Sequence, residues 1–325
     1  MTPSIGLADL TFIGRDLARP ECVVVTARGA VFASDRRGGI ARVREEEPPE
    51  LIFANKGQRG VEDFLPNGFA LLPDRSFVIA NLGRAGGVWR MLPRGELLPE
   101  LLEVDGMALP PTNFANVEHT TGAQRLWVSV STRKVPREQA MRADVADGYI
   151  ALKDARGARI VADGLGFTNE NKLDPSGRWF YVNETMARRL SRFPLKGDGL
   201  GPRETVAEFA DGIFPDGFEF DAEGGIWIAS VVSNRLLRLA PDGSRTVVLD
   251  DGDPATIARV ERHFAEHRLT RADIDAGRGG VLGNLASVTF GGPDLRTVYL
   301  GSLFADRIAT FRSPLAGATP PHWGY

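Results

Sequence analysis

The sequence predicts an all-β, six-bladed β-propeller, because one strand pair recurs, the recurrence has a regular spacing, and turn residues separate the copies. Each copy has a short apolar strand, a few small or polar residues, and a second strand that contains arginine, as in 31–43, 77–91, 180–193, 227–239 and 299–311. RLWVSVS (125–131) is a sixth copy with a less regular second strand. These strands are short and rich in β-branched and aromatic residues, which favours strand over helix.

The residue that opens each unit recurs about every 50 residues, which is the repeat length of a propeller blade. The openers are Glu21, Asn67, Asn116, Asn169, Asp216 and Ser287, with gaps of 46, 49, 53, 47 and 71 residues. Clusters of Gly with Asp or Ser precede most of the repeated strands and favour hairpin turns. An alternating α/β fold is disfavoured, because no helical pattern lies between successive strand pairs.

The long last gap is explained by a predicted helical insertion over about 253–278, between the last two blades. Asp253 is a plausible N-cap and Pro254 a plausible first helical residue. Thr270 and Asp273 can cap a second short helix. The apolar positions at helical spacing are Ile257, Val260 and Phe264. The insertion is either decoration or a lid over one face of the propeller.

Composition and charge limit the class of protein. The 325 residues include 39 Lys+Arg and 42 Asp+Glu, a formal net charge of -3, which excludes a basic nucleic-acid binder. No apolar run is long enough for a transmembrane helix, and the first residues do not resemble a secretory signal. The single cysteine, Cys22, excludes an internal disulfide and is expected to be a small core residue. We expect a cytoplasmic protein with one domain over 1–325, a small-molecule substrate and no nucleic-acid or membrane partner; its oligomeric state is left open.

A short motif in the insertion is compatible with zinc. His263, Glu266 and His267 match the His-x-x-Glu-His pattern of an inverted zinc-protease motif. On one continuous helix the two histidines would lie one turn apart, as zinc ligation requires. The alternative is a partly exposed helix face beside an apolar stripe, and the sequence favours it.

A second set of polar residues points to a site on the propeller axis. Glu21, Asn116, Asn169 and Asp216 lie where blades begin, and innermost strands of different blades converge on the channel. Carboxylate and amide oxygens without thiolate or imidazole favour Ca²⁺ over Mg²⁺ or Mn²⁺. The alternative is that these are turn residues, as Asp216 before a glycine would allow.

At these positions the sequence resembles the senescence-marker-protein/gluconolactonase family, which includes regucalcin-type lactonases with a six-bladed propeller. The segments that carry the resemblance are RPECVVVTARGAVFASD, FTNENKLDPSGRWFYVNET, FPDGFEFDAEGGIWIAS and SVTFGGPDLRTVYLGS. The resemblance implies a divalent cation on the channel axis, with Ca²⁺ expected first and Mg²⁺, Mn²⁺ or Zn²⁺ as alternatives. Glu21, Asn169 and Asp216 match the family's metal ligands, and Asp216 also matches its general base.

The resemblance also indicates a substrate wall. Asn116 matches the asparagine beside the metal, which is a direct ligand in some relatives. Sugar lactonases usually have Arg and Asp around that asparagine, where this chain has Phe114 and Val117, so a less polar lactone or ester is expected. Ser287 stands where the family often has an asparagine before its Phe-Gly-Gly segment. Further candidates for the cavity are Asn67, Glu170 and His119, each of which could instead be a turn or loop residue.

The sequence therefore favours a Ca-type metal-dependent hydrolase of a lactone or ester. Two alternatives stay open. One is a different metal-dependent reaction in the same cavity, such as phosphotriester hydrolysis, isomerisation or elimination. The other is a non-enzymatic propeller that binds a small molecule or a protein.

Overall fold

Six antiparallel sheets surround a central channel in the computed structural model, which describes residues 4–45, 47–54, 63–120, 123–197 and 199–325. The six sheets confirm the predicted propeller. The chain first forms a short 3₁₀ turn (Leu7–Asp9) and the strand β1 (Thr11–Ile13), and then builds the blades in sequence order. In each blade the first strand is innermost and contacts the first or second strand of the neighbouring blade.

The first three blades are regular four-stranded meanders. Blade 1 contains β2 (Val23–Val25), β3 (Val31–Asp35), β4 (Gly39–Val43) and β5 (Glu50–Phe53). Blade 2 contains β6 (Pro66–Leu71), β7 (Phe77–Asn81), β8 (Val88–Met91) and β9 (Leu97–Leu101). A separate hairpin follows, made of β10 (Glu103–Val104) and β11 (Met107–Ala108). Blade 3 contains β12 (Phe114–Thr120), β13 (Ala123–Val130), β14 (Gly148–Asp154) and β15 (Gly157–Leu165), with a 3₁₀ helix (Arg137–Ala140) after β13.

The last three blades carry the additions to the plain pattern. Blade 4 contains β16 (Thr168–Leu173), β17 (Trp179–Glu184), β18 (Arg189–Lys196), the short β19 (Gly199–Leu200) and β20 (Glu204–Glu208). Blade 5 contains β21 (Ile213–Phe220), β22 (Ile226–Val232), β23 (Arg235–Leu239) and β24 (Arg245–Asp250). Blade 6 contains β25 (Leu285–Gly291), β26 (Thr297–Ser302) and β27 (Ile308–Arg312), and its outer strand is β1.

The ring is closed by the two ends of the chain. Strand β1 pairs antiparallel with β27, from Thr11 with Thr310 to Ile13 with Ile308. This pairing joins N-terminal and C-terminal segments within one sheet, so the outer strand of blade 6 comes from the opposite end of the chain.

The core consists of apolar layers between neighbouring blades. Six of the seven clusters of buried side chains among the described residues each combine residues of two adjacent blades. Trp127 of blade 3 packs on Phe180 of blade 4 with ring centroids 4.7 Å apart, and Trp227 of blade 5 meets Phe290 of blade 6 edge to face at 5.2 Å. Cys22 is buried in the layer between blades 1 and 2, as expected for a core residue.

The helical insertion lies between β24 and β25 and confirms the sequence prediction. Helix α1 (Pro254–Ala265) begins after Asp253, whose side chain accepts a hydrogen bond from Thr256 N at 2.8 Å. Helix α2 (Arg271–Ile274) begins with a capping box between Thr270 and Asp273, and a 3₁₀ helix (Asp275–Gly279) follows. Val260, Phe264 and Ile274 pack in the seventh apolar cluster, together with Phe214 and Leu303 of blades 5 and 6.

Candidate functional site

The strand register places channel-lining residues on two levels. The lower level consists of one first-strand residue from each blade: Val24, Ala70, Asn116, Lys172, Glu219 and Thr289. Their partners on the second strands are, in the same order, Phe32, Val78, Trp127, Tyr181, Trp227 and Tyr299. In each of the first five blades, the residue three positions before the lower-level residue belongs to the upper level. These residues are Glu21, Asn67, Asn113, Asn169 and Asp216. The sequence-based openers of blades 1, 2, 4 and 5 therefore share one level, whereas Asn116 belongs to the other.

A chain of hydrogen bonds connects the upper level around the channel. Asn67 accepts from Arg19 Nη1 at 2.9 Å, and its Nδ2 donates to the Asn113 carbonyl oxygen at 2.8 Å. Asn113 Nδ2 donates to Asn169 Oδ1 at 2.7 Å, and Asn169 Nδ2 donates to Thr185 Oγ1 at 3.1 Å. These contacts show that residues from four blades meet at one place.

Irregular strand pairing accompanies the upper level. The register shifts between Pro66 and Phe69 in β6, between Thr168 and Asn171 in β16, and between Pro215 and Phe218 in β21. Asn67, Asn169 and Asp216 lie inside these three irregular segments. An extra residue in a strand re-aims side chains, and such bulges are frequent beside active sites.

A small cavity of about 40 Å³, here called the upper cavity, lies at this level. Glu21, Asn113, Asn169 and Asp216 line it together with three arginines, Arg19, Arg137 and Arg271. One enclosed water requires roughly 10–15 Å³ on this measure, so the upper cavity has room for a few water-sized groups.

A narrower space of about 10 Å³ adjoins the upper cavity and shares Glu21, Asn169 and Asp216 with it. Its lining also includes Asn67, Phe114, Glu170 and Ser287. The structure thus brings together seven of the nine site residues expected from the sequence. Ser287 Oγ also donates to the Glu21 carbonyl oxygen, which links blade 6 to blade 1.

At the upper level, burial and neighbouring carboxylates disfavour the ionised form of Asp216. Burial and the negative charges of Glu21 and Glu170 raise the pKa of Asp216 well above its ordinary value, although Arg19 and Arg137 act in the opposite direction. The Asp216 carboxylate accepts no hydrogen bond from the described part of the chain. Glu21 Oε2 makes an ion pair with Arg19 but no hydrogen bond.

The sequence analysis grouped Asn116 with Glu21, Asn169 and Asp216. The structure instead places Asn116 on the lower level. Its Nδ2 donates to the Asn171 carbonyl oxygen at 3.3 Å. It lines a larger cavity of about 370 Å³, the lower cavity, which the C-terminal segment with His322 and Tyr325 partly covers. Asn113, which the sequence analysis passed over, occupies the position expected of Asn116.

A buried charge cluster links Lys172 and Glu219 of the lower level to Glu170. Lys172 Nζ contacts Glu170 Oε1 at 2.8 Å and Glu219 Oε2 at 3.1 Å. Burial raises the pKa of Glu170 to about 7, with Lys172 opposing that shift. Burial acts to lower the pKa of Lys172, but Glu170 and Glu219 together raise it above its usual value. Glu170 is therefore held by a structural ion pair beneath Asp216.

Two further sequence candidates have separate outcomes. Phe114 is buried in the apolar layer between blades 1 and 2 and lines the lower cavity and the narrow space, but not the upper cavity. His119 has its backbone in β12, and its side chain falls outside what the structure describes.

The residues that sequence analysis missed are Asn113, Arg19, Arg137, Arg271 and Thr185. For Asn113 a signal did exist: it lies three residues before the partner of Trp127, as Asp216 lies three before the partner of Trp227. The even spacing of the openers concealed it, because counting from Asn116 gives nearly equal gaps. The arginines come from loops and the insertion, so no repeat phase marks them.

The donor set fits a hard divalent cation. Glu21, Asn169 and Asp216 would hold it, since carboxylate and amide oxygens suit Ca²⁺ and the Asp216 carboxylate is not engaged by another group. Among the residues with described side chains, no group of three or more His, Cys, Asp or Glu is arranged to hold a metal. The Arg19 guanidinium already contacts Glu21 and is an internal competitor for that carboxylate.

The zinc alternative for the insertion has no support. Helix α1 ends at Ala265, so His263 and His267 do not share a continuous helical face. His263 Nδ1 is 2.9 Å from Asp273 Oδ1, and His267 Nδ1 is 3.4 Å from Asp144 Oδ1. The two histidines are used in separate contacts. The insertion instead contributes Arg271 and Ile274 to the upper cavity.

Six blades around a channel lined by carboxylate, amide and guanidinium groups define the class of this protein as a propeller with a polar axial site. The profile described as SMP-30/Gluconolactonase/LRE-like region matches residues 20–257. The chain therefore belongs to the SMP-30/gluconolactonase/LRE-like family.

Individual relatives agree with this assignment. A 6-deoxy-6-sulfogluconolactonase from Pseudomonas putida is 33% identical over 155 residues, which cover 47% of this chain and 43% of the relative. The match thus spans less than half of that protein's length. A calcium-binding regucalcin from Agrobacterium tumefaciens shares the fold with a TM-score of 0.68, 17% identity and full coverage of both chains. A gluconolactonase from Xanthomonas campestris has a TM-score of 0.65 and 17% identity, covering 92% of this chain and 88% of its own.

Within the described residues, no helix combines the length and the apolar character needed to cross a membrane.

Proposed function

We propose that the protein is a divalent-cation-dependent hydrolase of a lactone or a related ester, with Ca²⁺ as the preferred ion. The observation that carries the proposal is the meeting of Glu21, Asn169 and Asp216 in the upper cavity, where no described residue donates a hydrogen bond to the Asp216 carboxylate. Membership of a family that contains lactonases supports it. So does the similarity to a Pseudomonas putida sulfogluconolactonase.

The roles of the side chains follow from their chemistry. Glu21, Asn169 and Asp216 would hold the cation, and Asn113 fixes the Asn169 amide through its 2.7 Å hydrogen bond. A bound divalent cation polarises a carbonyl group and stabilises negative charge that develops on its oxygen. Asp216 accepts a proton from the attacking water, for which a carboxylate with no competing hydrogen bond is suited. Burial of the upper level limits the access of other water molecules to the reacting group.

The lining of the upper cavity bears on substrate polarity. Phe114, on which the expectation of a less polar substrate depended, lines the narrow space beside Glu21, Asn169 and Asp216 but does not line the upper cavity. Three arginines are present there instead. They support a polar substrate, such as a hydroxylated lactone.

The test is hydrolysis of a panel of lactones and aryl esters with metal-free protein, then with added Ca²⁺, Mg²⁺, Mn²⁺ or Zn²⁺. We expect lactone turnover that requires a divalent ion and is highest with Ca²⁺. Asp216→Asn should reduce kcat by at least about 100-fold. Asp242→Asn, at an exposed turn, is the matched control and should retain full turnover.

Three results would contradict the proposal. Turnover unaffected by chelation would remove the cation, and unchanged turnover of Asp216→Asn would remove Asp216 as base. Ligand binding without turnover on any member of the panel would favour a binding protein.

A further inference from the structure

Arg137 lines the upper cavity, and its guanidinium makes few direct polar contacts there. Its Nη2 donates to two neutral acceptors, Asn113 Oδ1 and Ser131 Oγ, each at 3.3 Å. Its Nε is buried and has no hydrogen-bond partner in the structure. Among the described residues, no carboxylate oxygen lies within 4.0 Å of its guanidinium nitrogens. The positive charge is therefore neither paired nor fully hydrogen-bonded.

The two other arginines of the upper cavity differ from Arg137. Arg19 is paired with Glu21, and Arg271 Nε contacts Asp275 Oδ1 at 2.8 Å. Arg137 instead lies with its guanidinium carbon 4.9 Å from the centre of the Phe167 ring. A flat ring beneath the guanidinium fixes its plane but supplies no formal charge. Of these three arginines, Arg137 is thus held in place with no carboxylate of the described residues in direct contact.

An arrangement of this kind is unfavourable in the free protein. Burial and the nearby charge of Arg271 lower the pKa of Arg137 to about 10, although the negative charge of Glu21 opposes them, so its surroundings on balance disfavour the positive charge. A ligand anion would remove this penalty, since a guanidinium offers two parallel N–H donors to a carboxylate, sulfonate or phosphate.

We propose that Arg137 binds a negatively charged substituent of the substrate, so that the preferred substrate is an anionic lactone. This inference depends on the proposed hydrolase function. The anion bound by Arg137 is a substituent that does not react, because Glu21, Asn169 and Asp216 form the reacting side of the same cavity. Arg271, which belongs to the helical insertion, supplies a second guanidinium to the lining of this cavity.

Two lactones that differ in one substituent provide the test. D-gluconolactone is neutral, and 6-deoxy-6-sulfogluconolactone carries a sulfonate in place of one hydroxyl. Both give a product carboxylate, so the ratio of their kcat/KM values isolates the effect of the substituent. We expect wild-type protein to prefer the sulfonate and Arg137→Gln to reduce that preference at least about tenfold. Arg137→Lys, which keeps the charge, should keep part of it.

The matched control is Arg142→Gln. Arg142 lies in the same segment but is exposed and pairs with Asp144 at 2.7 Å. Its loss should leave the preference unchanged. Thermal melting of each variant separates unfolding from loss of binding.

Calorimetric binding of the two open-chain products provides a measurement without turnover. Arg137→Gln should lose the preference for the sulfonated product over gluconate. If wild-type protein hydrolyses neither lactone, the proposed function fails while this binding measurement still tests Arg137. Equal losses for the neutral and the charged compound, or a preference that Arg137→Gln leaves intact, would overturn the inference.

Discussion

Arg19 and Glu21 form an ion pair across Pro20 at the entrance of the channel. The Glu21 backbone N–H donates to the Arg19 carbonyl oxygen at 2.8 Å, and Arg19 has a left-handed φ of 59°. Left-handed backbone is uncommon outside glycine, and it tends to persist where the surrounding contacts fix it. The same arginine donates to Asn67 at 2.9 Å. The Glu21 carboxylate is therefore neutralised by the protein itself when no metal ion is bound.

Removal of this internal counterion should strengthen cation binding. In Arg19→Gln the Glu21 carboxylate no longer has to exchange a guanidinium for the metal ion, so we expect Ca²⁺ affinity to rise about three- to tenfold. Calorimetric titration of metal-free protein measures the change. Arg15→Gln, at an exposed position nearby, is the control and should bind as wild type. Weaker Ca²⁺ binding by Arg19→Gln would show that Arg19 supports the ligand Glu21 and does not compete with the ion.

Two asparagines three residues apart test the level of the site. Asn113 bonds to Asn169, whereas Asn116 bonds to a backbone carbonyl on the lower level. Asn113→Ala should lower both Ca²⁺ affinity and kcat/KM by at least about tenfold, because the Asn169 amide loses its fixed orientation. Asn116→Ala should leave Ca²⁺ affinity within about twofold of wild type, since its partner lies away from the cation ligands. The reverse pattern would restore the assignment made from repeat spacing.

The anchoring of the insertion depends on a paired charge. Arg188 binds Glu261 of α1 through two contacts, at 2.7 and 2.9 Å, and its guanidinium carbon lies 4.8 Å from the centre of the Phe214 ring. Glu261→Gln should lower the free energy of unfolding by about 1–2 kcal/mol, because the Arg188 side chain is only 11% exposed. The control is Glu204→Gln, which breaks a more exposed pair with Arg192 and should cost less than about 0.5 kcal/mol. Denaturant unfolding of both variants measures the difference, and equal losses would contradict the expected anchoring role.

Because burial favours the neutral form of His322, we expect the protein to lose stability in acid. Burial lowers its pKa to about 4 from the usual 6.5, with the charge of Lys172 acting in the same direction and a 3.1 Å contact with the Val25 carbonyl oxygen opposing it. The unfolded chain therefore binds a proton before the folded one, so the contribution of His322 is complete above about pH 6.5 and is lost as the pH falls towards 4.

The measurement is denaturant unfolding at several pH values. Because His322 is only partly buried, we expect the full effect to be about 1–3 kcal/mol. The stability difference between wild type and His322→Gln should shrink steadily between pH 7 and pH 4. A difference that is independent of pH would show that His322 does not titrate in this range.

The sequence by itself determined the blades and the insertion. Short strands between turn residues, an interval near 50 residues, and the caps Asp253 and Thr270 are local features, and a local pattern needs no knowledge of distant contacts. It also proposed Glu21, Asn169 and Asp216 as site residues, because each stands at the same place in its own repeat.

The tertiary structure alone decided which residues share the upper cavity. Shifting the assumed repeat position by three residues exchanges Asn113 for Asn116. The pairing of Asn116 with Trp127 in the structure shows which of the two belongs to the upper level. Arg137 and Arg271 reach the cavity from a loop and from the insertion, outside the repeat. Their convergence depends on how six sheets close into a ring, and the charge balance of the site exists only after that closure.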